Sequence, residues 1–242
     1  MSRKSRRNRL QPSPSPQAEA SSSARRFGGL RIVIGSALII LATFALGAFL
    51  FTSRGTQSGP STDTAAAAAL ASAHSPTLGD AGAKVHIVEF LDPACETCAQ
   101  FFPLAKQLMD ENPGRIRLSV RHVAFHEGAD YAVRVLEASR LQDKYWQTLE
   151  ALLSSQSLWA PHHTVKPELV LLAIANVGLD VQRLQGDMNS PAVTERIQQD
   201  RNDAMALQVT ATPEYFVNGR PLPSFGQQQL LTLVREELQA AY

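Results

Sequence analysis

Two cysteines occur in the whole chain, and both lie in one tetrapeptide, Cys95-Glu96-Thr97-Cys98. Two intervening residues let the sulfurs meet in a small ring when the first thiol sits at the start of a helix. The flanking sequence supplies that setting. Val85 to Leu91 (VHIVEFL) reads as a buried strand and Asp92-Pro93-Ala94 as a turn. Cys95 to Met109 reads as a helix with Phe101, Leu104, Ala105 and Leu108 along one face. A strand feeding a CxxC at a helix N-terminus is the layout of a thiol–disulfide redox centre. Unpaired backbone N–H groups and the helix dipole favour a thiolate there. Cys95 receives that field most directly. Cys98, one turn further in, is expected to be more buried and to serve as the resolving thiol.

Other chemistries use the same residue types. Structural zinc usually takes four ligands, and the chain has no second cysteine pair. Its histidines (His74, His86, His122, His126, His162 and His163) form no tight ligand pair, since the nearest two separated by a helical-turn spacing, His122 and His126, straddle an expected strand end. A purely structural disulfide over so short a loop stabilises little. Two thiolates also suit Cu(I), which makes an envelope metallochaperone the alternative class of function. Against it, the chain has four methionines and no methionine-rich stretch. A redox-inactive scaffold is a third reading, opposed by the intact cysteine pair.

The N-terminus sets the compartment. Residues 1–31 hold eight basic side chains and a single acid, Glu19, and are rich in Ser, Pro, Arg and Gln, as a disordered tail is. Ile32 to Phe51 is an uncharged, mostly apolar run of bilayer-spanning length. The charge bias predicts a cytoplasmic N-terminus, a transmembrane signal anchor at 32–51 and everything beyond it outside the cytoplasm. The exit of the apolar run, Ala48 to Ser53, is a poor cleavage site, and the pairs Arg6-Arg7 and Arg25-Arg26 are weak twin-arginine signals. Beyond residue 31 the chain carries 15 basic and 21 acidic side chains, net −6. The basic charge therefore reads as a topology and anionic-lipid signal, and no nucleic-acid partner is expected.

Residues 52–74 read as a linker, polar at first and then alanine-rich, with Ala65 to Ala73 suited to either a short helix or a continuation of the tether, and 75–242 as the globular domain. Arg115 to Val123 alternates polar with apolar, so strand, helix and strand make a βαβ unit with a parallel pair. A helical stretch follows, at about 127–207: Ala129 to Leu141, Asp143 to Leu153, Pro167 to Val177 ending at Gly178, a short helix capped by Asp180, and one opened by Ser190-Pro191. Glu214 to Val217, Asn218-Gly219 and Arg220 to Leu222 form a hairpin signal, and Gln227 to Ala240 is a closing amphipathic helix. The fold class is α/β with an embedded helical subdomain.

Three features together resemble the thioredoxin superfamily, specifically its DsbA-like branch of envelope thiol–disulfide oxidoreductases, from about Leu78 to the C-terminus. They are Glu89-Phe90-Leu91-Asp92-Pro93-Ala94 leading into Cys95 and Cys98, Val209-Thr210-Ala211-Thr212-Pro213 ahead of the hairpin, and the helical insert between them. The resemblance implies a thioredoxin-like fold with an inserted helical subdomain, here preceded by one transmembrane helix. It implies that Cys95 is the exposed nucleophile and Cys98 the resolving thiol. Pro213 would be a cis proline facing the disulfide, with Thr212 presenting backbone to the substrate chain. It makes Glu89 an acid placed to move the proton of the resolving thiol, with a raised pKa if buried. The reaction needs no metal or organic cofactor beyond the Cys95–Cys98 disulfide. The partners implied are extracytoplasmic protein thiols and disulfides and a membrane redox partner. The sequence departs from the family at Gln208 and Ala211, where glycine is frequent, and at Glu214, where a small or hydroxyl residue is common. Between the cysteines it has Glu96-Thr97 rather than the Pro-His of strongly oxidising members. Glu96 and Thr97 are therefore expected to tune the redox poise, with Glu96 opposing the helix field and making the pair less oxidising.

Overall fold

The computed structural model describes residues 62–242. Helix α1 (Thr62–Leu70) leads into a short strand β1 (Thr77–Gly79). Then come β2 (Val85–Leu91), α2 (Glu96–Glu111) and β3 (Ile116–His122). Six helices follow: α3 (Ala129–Ser139), α4 (Tyr145–Ser154), α5 (Gln156–Trp159), α6 (Pro167–Ala173), α7 (Val181–Asp187) and α8 (Pro191–Ala206). The chain closes with β4 (Glu214–Val217), β5 (Arg220–Pro221) and α9 (Gln227–Ala241).

The five strands form one sheet in the order β1-β3-β2-β4-β5. The βαβ unit makes β2 and β3 parallel, while the hairpin brings β4 antiparallel to β2 and β5 antiparallel to β4. The Asn218-Gly219 turn works because both residues sit at positive φ, 48° and 85°, which matches the twist of a two-residue hairpin. β2 is central and buried on both faces except at His86, which is why it reads as a near-continuous apolar run.

Two cores result, one on each face of the sheet. On one face Phe101, Phe102, Ala105 and Leu108 of α2 pack with Ile87, Leu118, Tyr215, the apolar stripe of α9 and the helical insert. Burying each large side chain stabilises by about 1.5–3 kcal/mol. On the other face Val88, Phe90 and Phe216 meet Ala204 at the end of α8, with Val209 and Val123. The thioredoxin-like α/β sheet with a helical insertion thus stands as the sequence implied.

Several boundaries move. The 52–74 segment is not a tether to its end: α1 packs on α8, Ala69 is buried, Ser72 Oγ donates to Asp203 at 2.7 Å and His74 Nε2 lies 2.6 Å from Asp200. Alanine-rich sequence hides this, because the anchoring groups are backbone and small polar side chains. β1 was not expected; it is three residues long and pairs with β3 only at that strand's edge. The helix expected from Asp143 starts at Tyr145, since Asp143 takes a left-handed conformation (φ 55°) after a 3-10 turn at Arg140–Gln142. The helix expected to reach Val177 stops at Ala173, and Ile174–Val177 tightens into a turn ahead of Gly178. No helix among the described residues is long and apolar enough to cross a membrane. The apolar run 32–51 and the basic tail 1–31 lie outside the described residues.

Candidate active site

Cys95 is the N-cap of α2, and no side chain caps the helix in its place (φ −80°, ψ 117°). The turn before it is fixed from three directions. Asp92 at the end of β2 accepts from the Ala94 N–H at 2.8 Å through Oδ1. Its other oxygen accepts from the N–H groups of Phe125 and His126 (2.7 and 2.9 Å) and from His126 Nδ1 at 2.8 Å. Gln156 of α5 donates through Nε2 to the Pro93 and Cys95 carbonyls at 2.7 and 2.9 Å. His163 Nδ1 meets the Ala94 carbonyl at 3.2 Å, and its ring stacks on that of His126 with centroids 4.6 Å apart. The helical insert therefore serves the site directly by holding the CxxC turn.

Opposite Cys95 lies the loop before β4. The Thr212–Pro213 bond is cis, and the Thr212 carbonyl accepts from Cys95 Sγ at 3.3 Å. Gln208, where glycine is frequent in the family, adopts φ 58°; a side chain in that left-handed region costs on the order of 1 kcal/mol. No disulfide joins the two cysteines. Cys95 is 5% exposed and Cys98 fully buried. The order of exposure is as expected, but the nucleophile implied to be exposed is nearly covered, because the Thr212 backbone lies over its sulfur.

Geometry separates the two thiols chemically. The Cys98 thiol donates to the Cys95 sulfur, and the backbone N–H groups of Cys98 and Thr97 and the Thr212 side chain add to it. Together they outweigh burial and bring the Cys95 pKa down to about 5. Cys98 moves the other way, well above the ordinary thiol range. Burial dominates that shift, reinforced by the bond to Cys95 and the charges of Glu89 and Cys95. Glu96 is exposed to water and is not among the groups acting on Cys95. Water screens its carboxylate, which weakens the opposition to the helix field expected of it. Thr97 does act on Cys95, through its backbone N–H.

Glu89 sits on β2 beneath the cysteines, fully buried, and neither carboxylate oxygen has a hydrogen-bond partner among the described residues. Burial lifts its pKa to about 8; the Tyr215 hydroxyl pulls it partly back and the Cys95 charge adds to the rise. Tyr215 is paired with Glu89 across the β2–β4 ladder. Asp92, Gln156, His126, His163 and Tyr215 were not assigned to the site from the sequence. Asp-Pro at a strand end signals a turn, not a clamp, and nothing near Gln156 in the sequence links it to residues 61 and 63 positions away.

Among the described residues, one group of acids and a histidine approaches metal-ligand spacing: His74, Asp200 and Asp203. Arg121 already occupies it, donating from Nε to Asp200 at 2.6 Å and bonding Asp203 through its terminal nitrogen. It includes neither cysteine.

The family model described as "Thioredoxin" matches residues 71–235, and the chain belongs to that family. A solved thioredoxin-like oxidoreductase from Silicibacter pomeroyi DSS-3 is 30% identical, with a TM-score of 0.62 over 72% of this chain and 98% of its own. Disulfide bond formation protein D of Bacillus subtilis is 24% identical over 172 residues, 67% of this chain and 77% of that protein. The resemblance to the DsbA-like branch is borne out by these matches. A Na(+)/H(+) antiporter NhaA from Herminiimonas arsenicoxydans is 32% identical over 158 residues, 65% of this chain but 24% of the antiporter. The chain thus spans about a quarter of that antiporter's length.

Proposed function

We propose that this protein is a thiol–disulfide oxidoreductase that exchanges disulfides with extracytoplasmic proteins through a mixed disulfide on Cys95. One observation carries the reading: a helix-capping thiol with a pKa near 5 faces the carbonyl that precedes a cis proline. Starting from the Cys95–Cys98 disulfide, a substrate thiolate attacks Cys95 Sγ. Cys98 leaves with the electron pair and takes up a proton, for which Glu89 is the buried donor. A second substrate thiolate then attacks the substrate sulfur of the mixed disulfide, and Cys95 leaves as a stabilised thiolate. Two electrons pass from the substrate dithiol to the pair, and a membrane redox partner reoxidises it. The same steps run backwards for reduction. Thr212 and Pro213 align the substrate backbone against Cys95, and no metal or organic cofactor takes part.

The names of the relatives support an oxidoreductase of this kind. The charge pattern of residues 1–51 supports a single-pass anchor at 32–51 with the N-terminus in the cytoplasm and the catalytic domain outside it. In cells, Cys98→Ser is expected to accumulate substrates as mixed disulfides on Cys95, and Cys95→Ser to accumulate none. Trapping by Cys95→Ser instead would reverse the assignment, and trapping by neither would overturn the exchange mechanism. Alkaline phosphatase fused after residue 60 is expected to be active; an inactive fusion in cells that export other fusions normally sinks the orientation.

A further inference from the structure

The proposed exchange leaves one step without a described control: Cys98 must lose its proton before it can attack a mixed disulfide on Cys95. Glu89 is the acid beneath it. The group that faces Glu89 is a tyrosine on a different strand.

Glu89 and Tyr215 are directly opposed in the β2–β4 register, so their side chains leave the same face of the sheet at adjacent positions. Both residues are fully buried. Neither Glu89 oxygen nor the Tyr215 hydroxyl makes a hydrogen bond of regular geometry among the described residues, although the hydroxyl lies close enough to Glu89 to lower its pKa. Buried polar side chains are overwhelmingly hydrogen-bonded, so two unpaired groups in register point to a bond made in only one state. The site offers little else. The ionisable groups that act on Glu89 or feel its charge are Cys95 and Cys98 from α2, Tyr145 from α4 and Tyr215 from β4; no cation is among them. A carboxylate formed here finds one uncharged donor, and that donor stands two residues beyond Pro213.

Building on the exchange mechanism above, we infer that Tyr215 is a positioning residue for the resolving thiol: its hydroxyl holds the Glu89 carboxylate until that carboxylate takes the Cys98 proton. Before transfer the carboxylate accepts from Tyr215 and is held against the charge of the nearby sulfurs. After transfer Glu89 is a neutral acid, Cys98 is the attacking thiolate, and the bond to Tyr215 is released. Because Tyr215 lies on the strand that leaves the proline loop, the loop that aligns substrate also carries the group that steadies the base. A hydrogen bond to a charged group is worth more than one between neutral groups, so the effect on Glu89 is one-sided.

The test is the pH dependence of resolution in the full chain. Reduced protein is mixed with the aromatic disulfide 5,5′-dithiobis(2-nitrobenzoate). Cys95 attacks and releases one thiophenolate; Cys98 then attacks the mixed disulfide and releases a second, forming the Cys95–Cys98 disulfide. The second release is followed by stopped flow from pH 6 to 10. In Tyr215→Phe its rising limb is expected to move up by about one pH unit, lowering the rate at pH 7 roughly ten-fold. The plateau at high pH is expected to stay, because a more basic carboxylate accepts a proton at least as well. Glu89→Gln is expected to lose the limb, and Tyr215→Phe to add nothing in that background. Damage to packing alone would lower the plateau and leave the limb in place, which would overturn the inference. The Glu89 carboxyl is also titrated by 13C NMR, identified by its loss in Glu89→Gln. A titration unmoved by Tyr215→Phe overturns the inference even if no exchange occurs. Absence of any thiophenolate release from the wild type would instead sink the exchange mechanism.

Discussion

Adjacent residues on β2 and β3 send ionisable groups to opposite faces of the sheet, and the two faces treat them in opposite ways. On the α8 face Arg121 is 1% exposed and donates hydrogen bonds to Asp200, Asp203 and the Ala69 carbonyl. Asp200 also accepts from the His122 N–H and meets His74 Nε2, while Asp203 accepts from Ser72 and Gln199. On the α2 face Glu89 is buried without a hydrogen bond of regular geometry among the described residues, and Cys98 meets only the Cys95 sulfur and the Asp92 backbone. The first cluster fastens α1 and α8 to the sheet. The second holds its charge unstable and so available for transfer. Buried charge with full pairing holds structure in place; buried charge without it is poised chemistry.

Their pH signatures follow with opposite sign. Burial raises the Asp200 pKa, but the hydrogen bond to His74 and the charge of Arg121 more than offset this and hold it below its usual value of 3.8. Its stabilising contribution is present above that value and lost as pH falls below it. Glu89 is raised from 4.5 to about 8, so its contribution is present below 4.5 and lost as pH rises through 8. Cys95, lowered from 9.0 to about 5, stabilises the reduced form above 9.0 and ceases to do so as pH falls through 5.

The most severe way to break the comparison is Arg121→Ala. It leaves two buried carboxylates without their cation and is expected to cost about 3–5 kcal/mol in urea unfolding. The pH midpoint of Cys95 alkylation should not move in whatever fraction stays folded; a mutant of wild-type stability would show that the cluster holds nothing. Glu89→Gln comes next, with the opposite sign. It is expected to stabilise the protein at pH 9 by on the order of 2–4 kcal/mol and to change little at pH 4.5. Equal effects at both pH values would mean that Glu89 does not titrate between them. Asp92→Asn sharpens the comparison within the active end, where this carboxylate is fully paired. Replacing one oxygen with an NH₂ donor sets it against three N–H groups at 2.7, 2.9 and 2.8 Å. The expected loss is about 1–3 kcal/mol, accompanied by faster proteolysis of the CxxC turn. Glu96→Gln is the smallest: its side chain is in water, so the Cys95 alkylation midpoint is expected to shift by less than about 0.3 pH units. A shift near one unit would restore the intervening dipeptide as the control on redox poise.

Local sequence carried the parts of the site that local physics builds. β2 was read at Val85–Leu91 and the CxxC helix at its true start, because apolar periodicity and a turn before a helix are encoded within a few residues. Ser190 and Asp180 cap their helices as expected, accepting from Val193 and Arg183 N–H groups. The clamp on the CxxC turn was not legible, since Gln156 and His163 reach it from helices whose docking angle depends on packing. The inner end of the supposed linker was missed for the same reason: Ala69 contributes its backbone carbonyl to Arg121, which no side-chain pattern announces.

The sequence by itself determined the chemistry available to this protein: one dithiol, its place at a helix N-terminus, an acid six residues upstream and a proline loop before the hairpin. Spacing along one chain fixes those, because each is set by neighbours within a turn or a strand. Only the tertiary structure decided how far apart the two thiols are driven, how closely Thr212 covers Cys95, and that Glu89 faces a tyrosine rather than water or a cation. Those properties arise from burial and from partners brought together by the sheet register, and a pKa responds to what surrounds a group in space, whatever its place in the chain.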